Sequence, residues 1–220
     1  MSHTLLARRA VLFAPFLAVG ACAAPGGTLP RPEAGSLVLG QLTVAEALAR
    51  FGPPQRRSKQ VIEATAANRN ARSGTVENLT YLYAPSGSND RLVRGAFRRL
   101  TLAFVDDRLT GYAYVSNFIA DNISFDERKL PSFAEGKTTR ADILRELGRP
   151  SGESVYPHGA ANRRSALFYS YLSFKRSADY SGTTVESTNM SMRFFFDSTD
   201  RLSGTYKTDQ SITAGAGDRV

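Results

Sequence analysis

The chain has 220 residues, with 28 Lys and Arg against 20 Asp and Glu, a formal net charge of +8. Hydrophobic residues make up 42% of it, and 9 Tyr and 13 Phe with no Trp agree with a folded, β-rich protein. Two histidines and one cysteine exclude a His/Cys metal centre and a disulfide scaffold on arithmetic alone.

Residues 1–22 carry Arg8 and Arg9, an apolar run from Ala10 to Val19, and small residues up to Cys22. That is the layout of a secretory signal, and it is too short for a spanning helix. The segment LAVGAC at 17–22 resembles a bacterial lipobox. The resemblance implies cleavage before Cys22, a diacylglycerol on its sulfur, and acylation of the new amino group. Gly20 and Ala21 supply the small side chains the peptidase needs, and only a thiol accepts the lipid. Ala23 after the cysteine implies, by resemblance to enteric lipoproteins, the outer membrane and its periplasmic face. Loss of Arg8 and Arg9 with the signal lowers the formal charge from +8 to +6. In an exported protein that balance suits an acidic protein or anionic lipid headgroups, not nucleic acid.

Residues 22–37, rich in Pro, Gly and Ala, read as a flexible tether. The rest is a duplication. GQLTVAEALARFGPP at 40–54 returns as GKTTRADILRELGRP at 136–150, with Gly40 meeting Gly136, Thr43 Thr139, Leu48 Leu144, Gly52 Gly148 and Pro54 Pro150 at one fixed offset. Each copy spells a short helix. Thr43 with Glu46, and Thr139 with Asp142, form capping boxes, and the glycines and prolines end the helix. Ala47, Leu48 and Phe51, and then Ile143, Leu144 and Leu147, share an apolar face, while Arg140 falls outside it. FVDDRLTGY at 104–112 likewise returns as FDSTDRLSGTY at 196–206.

In the first module, 38–115, strands are expected at 78–83, 97–105 and 108–115, with 55–63 as a short strand or extended arm. Residues 64–77, with Arg69 and Arg72, read as a polar loop. An arm at 116–135 leads to the second module, 136–208, with a loop at 153–162, strands at 165–174, 188–197 and 201–208, and a disordered tail at 209–220. The expected fold is α+β: two tandem modules, each with short helices packed on one face of a three-stranded antiparallel sheet.

No catalytic constellation emerges. His158 sits in a loop without an acidic or thiol neighbour, and Asp106-Asp107 and Asp197 to Asp200 occupy turns where aspartate is chosen for geometry. The chain reads as a non-enzyme with no cofactor and no metal. The residues Gly136, Thr139, Asp142, Ile143, Leu147, Gly148 and Pro150, followed by Phe196, Asp197, Arg201 and Leu202, give a pattern that resembles the BamE/SmpA outer-membrane lipoprotein family. The first module matches through Gly40, Thr43, Glu46, Leu48, Gly52, Pro54, Phe104, Asp106 and Leu109. The resemblance implies helices on one antiparallel sheet, an arrangement that also occurs in tandem in β-lactamase inhibitory protein. It also implies an accessory role in outer-membrane protein assembly or envelope integrity; the alternative is an inhibitor or sequestering protein that clamps a periplasmic enzyme. Strand alternation with conventional hairpins sends Leu100, Leu102 and Phe104 toward the helices and puts Arg99, Tyr112 and Tyr114 on the opposite, partner-binding face. The same argument puts Arg193, Phe195, Thr205 and Lys207 on that face in the second module.

Overall fold

The structure, a computed structural model, describes residues 28–62, 74–85, 96–121, 123–155, 164–179 and 182–215. The signal, Cys22, Arg69, Arg72 and His158 lie outside them. Eight strands run antiparallel and lie in the sheet in chain order: β1 (Arg56–Ile62), β2 (Gly74–Tyr83), β3 (Arg98–Val105), β4 (Arg108–Ser116), β5 (Gly152–Val155), β6 (Ser165–Asp179), β7 (Gly182–Phe196) and β8 (Leu202–Gly215). Among the described residues two α-helices, α1 (Val44–Phe51) and α2 (Arg140–Leu147), precede β1 and β5.

This overturns the expectation of two separate three-stranded sheets with helices. The protein is mainly β, and its sheet is continuous. Each half contributes a fourth strand. One is β1, which the sequence leaves open between strand and arm; the other is β5, which falls where a loop is expected from 153 on. The halves join because β4 pairs with β5 through Gly111↔Ser154, Tyr112↔Glu153 and Ala113↔Gly152. The ladder is prolonged by the Tyr114 N–H, which donates to the Ser151 carbonyl at 2.8 Å. Gly152 makes the joint possible. A Cβ there would sit inside van der Waals contact of the Tyr112 carbonyl oxygen and 2.9 Å from the Ala113 Cα. The last strand also outruns its expected end, since β8 continues through 209–215 of the expected tail.

The duplication persists in the hydrogen bonds. Thr43 and Thr139 cap α1 and α2 with complete capping boxes. The Asp142 carboxyl is held down to about 2 by bonds from the Thr139 hydroxyl and N–H and from Arg145. Ahead of α1, Gly40 N donates to Leu109 O at 2.7 Å and Leu109 N to Leu42 O at 2.9 Å. Ahead of α2, Gly136 N donates to Leu202 O and Leu202 N to Thr138 O, both at 2.8 Å. Each helix is thereby tied to the start of the last strand of its own half. Gly40 (φ 80°) and Gly136 (φ 72°) adopt the left-handed backbone that this hook requires.

Two apolar clusters fill the same side of the sheet. The register sets Leu79, Leu102, Tyr112, Glu153, Leu167 and Phe194 in one row across β2 to β7, and paired residues share a face. Ala47 and Val44 of α1 pack with Leu79, Leu100, Leu102 and Phe104. Ile143 and Leu147 of α2 pack with Leu167, Tyr169, Phe194 and Phe196, while Leu144 is half-buried at the margin. Each buried Leu or Phe contributes about 1.5–3 kcal/mol relative to exposure. Arg140 is not idle on the outside of α2, because its guanidinium pairs with Glu153 and lies 5.7 Å from the Phe196 ring centroid.

The segments between elements pack on this side as well. Leu29 and Leu37, within the expected tether, lie against the first cluster. Phe125, Leu130 and Phe133 of the inter-module arm lie against the second.

Candidate functional site

Two one-residue bulges decide which side chains of β4 and β8 reach the side without helices. At the β3–β4 turn, Asp106 (φ 47°) and Asp107 (φ 63°) form a two-residue reversal with both residues left-handed. A regular hairpin continuing from it would set Tyr112 opposite Thr101 and Tyr114 opposite Arg99. Instead the register shifts between Ala103 and Phe104, which pair with Gly111 and Leu109 and leave Thr110 as the extra residue. Its hydroxyl donates to the Ala103 carbonyl at 3.2 Å. β7 and β8 repeat the device: Phe195 pairs with Gly204, Phe196 with Leu202, and Ser203 is left over.

One extra residue inverts every side chain beyond it. Tyr112 and Tyr114 therefore point to the helix side, opposite Leu102 and Leu100, and not to the open face. Thr205 and Lys207, opposite Phe194 and Met192, turn the same way. The partner-face assignment of these four residues is corrected accordingly.

The tyrosines are engaged inside. Tyr114, 1% exposed, donates from its hydroxyl to Asp121 at 2.9 Å. Arg98 forks onto the same carboxylate, Nε to Oδ2 at 2.8 Å and Nη2 to Oδ1 at 3.1 Å, and Ser116 donates to it as well. Arg98 also covers the Phe118 ring at 4.1 Å. Tyr112 donates to Glu153 at 3.3 Å, and burial together with that carboxylate pushes its hydroxyl up to about 12. Lys207 Nζ lies 3.8 Å from Glu127 and 3.5 Å from Asp209.

Arg99, Arg193 and Phe195 do occupy the open face. The register brings them company that sequence reasoning missed. Phe168 stands opposite Arg193, and Arg193 stands opposite Tyr206. The Arg193 guanidinium lies 5.5 Å from the Phe168 ring centroid. Tyr206 is 63% exposed, and Phe195 and Phe168 are half-buried. Between this cluster and Arg99 the central strands carry Ala113, half-buried, and Gly111, Gly152 and Ala166, all buried. The site is an aromatic and cationic patch on the side of the sheet away from the helices, with no carboxylate among the described residues Arg193, Phe195, Phe168 and Tyr206 that form it. Among the described residues no group of three or more His, Cys, Asp and Glu is placed to hold a metal ion.

A concavity lies on the helix side. A cavity of about 540 Å³ between α1, β1 and the β3–β4 turn is lined by Val44, Leu48, Arg57, Lys59, Glu77 and Asp107, among others. Its counterpart in the second half is crossed by the Arg140–Glu153 pair.

Comparison with protein-family models gave no match, and comparison with curated proteins gave none. A solved Streptococcus mutans structure, named provisionally as a beta-lactamase inhibitor protein, is similar to the chain at 9% identity and a TM-score of 0.35, over 76% of this chain and 82% of that one. A likeness at that level assigns neither fold nor function. Among the described residues no helix is long and apolar enough to cross a membrane.

Proposed function

We propose that the chain is a lipid-anchored binding protein of the cell envelope that holds a partner protein on the open face of its sheet, as an accessory to outer-membrane protein assembly of the BamE/SmpA kind. One observation carries the binding role. The described segments that pack on a core cluster do so on one side of the sheet, whereas Arg193, Phe195, Phe168 and Tyr206 gather on the other. Arginine and aromatic residues dominate the energetics of protein interfaces, and a basic protein suits an acidic partner surface. The lipobox-like run ending at Cys22 supports the anchor.

Metabolic labelling with a fatty-acid analogue should mark the wild-type protein and leave Cys22→Ser unmarked; an unmarked wild type removes the anchor from the proposal. In envelopes treated with a crosslinker, Phe195→Ala with Arg193→Glu should lower partner capture severalfold without lowering the melting temperature. Capture that is untouched, or lost together with stability, overturns the open-face site. Recovery of barrel-assembly subunits supports the assembly role. Recovery of a single enzyme whose activity falls replaces it with sequestration.

A further inference from the structure

The molecule carries, at its two outer edges, the two halves of the joint it uses in its middle. By the duplication β4 corresponds to β8, since Leu109-Thr110-Gly111 and Leu202-Ser203-Gly204 share the bulge and the helix hook. β5 corresponds to β1, because Glu153 pairs with Leu167 as Arg57 pairs with Leu79. Inside the chain β4 pairs with β5. At the ends, β8 and β1 are each the last strand of the sheet, with no further strand beside them among the described residues.

We propose that copies of this chain associate head to tail, β8 of one molecule pairing antiparallel with β1 of the next. The internal joint supplies the register. Ala113↔Gly152 becomes Tyr206 against Arg56 of the next copy, and Tyr112↔Glu153 becomes Thr205 against Arg57. The Tyr114 N–H to Ser151 carbonyl bond becomes Lys207 N–H to the Gln55 carbonyl.

Two features agree with this seat. Arg56 and Tyr206 are already the two ends of one open-face row, Arg56-Thr80-Thr101-Ala113-Gly152-Phe168-Arg193-Tyr206, so the contact continues a row that crosses all eight strands. Tyr206, at 63% the most exposed large aromatic described, gains a guanidinium against its ring. One feature differs from the template: Arg56 carries a Cβ where Gly152 has none, so the strands of neighbouring copies stand at ordinary antiparallel spacing and not at the close approach of the internal joint. The contact uses different surfaces on the two molecules, so it is heterologous and builds rings or short filaments, not a two-fold dimer. It is independent of the lipid anchor and lengthens the open face from one copy to the next.

Sedimentation velocity of the full chain over the micromolar range tests it. The wild type should show species that grow with concentration beyond a dimer. Tyr206→Lys, which sets a cation against Arg56, should weaken association by roughly five- to tenfold, the size of a lost aromatic contact with a like charge opposite. Adding Arg56→Glu to Tyr206→Lys should restore it. Both side chains are exposed, so the variants keep the fold. A wild type that stays monomeric, association that stops at a dimer, or a Tyr206→Lys defect that Arg56→Glu fails to rescue overturns the proposal.

Discussion

Gly152→Val should cost about 3 kcal/mol or more and open the sheet at its middle. A Cβ at residue 152 meets the carbonyl of Tyr112 and the Cα of Ala113, backbone atoms of a strand already held by β3 on its other side. A flexible side chain could swing away; backbone yields only by moving the strand. The joint has little to spare, because β5 is four residues long and three register pairs bind it to β4. Gly111→Ala is the milder comparison: its nearest neighbours are the Ser154 Cβ at 2.9 Å, the Glu153 carbonyl at 3.4 Å and the Ser154 Cα at 3.5 Å, so the added methyl overlaps them far less deeply than a Cβ at residue 152 overlaps the Tyr112 carbonyl. Urea unfolding measures both. A Gly152→Val variant as stable as Gly111→Ala would show that β5 can retreat freely from β4, and that the halves do not depend on close contact.

The Asp121→Asn variant should lose about 3–5 kcal/mol, since it leaves a shielded guanidinium without its counter-charge. The Arg98 and Asp121 side chains are 14% and 8% exposed. Asparagine keeps the shape but offers one acceptor oxygen where Arg98, Tyr114 and Ser116 all donate. Burial pushes the Asp121 carboxyl up, yet the bonds from Arg98, Ser116 and Tyr114 outweigh it and hold the group below its ordinary value of 3.8. A carboxyl lowered in the folded state stabilises fully above the unfolded value, and that stability is lost as pH falls through the folded one. Wild-type stability should therefore decline on acidification below about pH 4 more steeply than that of Asp121→Asn. Identical acid slopes would mean that Asp121 is no better bound in the folded chain than in the unfolded one.

The parts of the fold that local rules govern were legible in the sequence. Thr43 with Glu46 and Thr139 with Asp142 announce their helices, and both capping boxes form. Leu100, Leu102 and Phe104 alternate into the core, as Phe194 and Phe196 do. What escaped depends on long-range pairing or on a single inserted residue. β5 has four residues and no apolar alternation, and its partner β4 lies across the linker 117–151, so nothing local marks the union of the halves. The open face was half legible. Arg99, Arg193 and Phe195 lie upstream of their turns, where the phase counts correctly from the core residues. Tyr112, Tyr114, Thr205 and Lys207 lie beyond a bulge, where it inverts. A signal was present: Leu-Thr-Gly and Leu-Ser-Gly recur at matched places, and a glycine within a strand often marks a bulge.

Strand order that equals chain order also sets how the molecule comes together. Within each half, neighbouring strands are successive in the chain, and such proximity closes quickly because little loop entropy is lost. One ladder is not of this kind: β4 waits for β5 across 35 intervening residues, 117–151. A chain delivered from its N-terminus can thus complete β1 to β4 while the second half is still arriving, and the edge of β4 that the finished sheet covers is then left unpaired. The short, glycine-bearing β5 is the latch that ends that exposure.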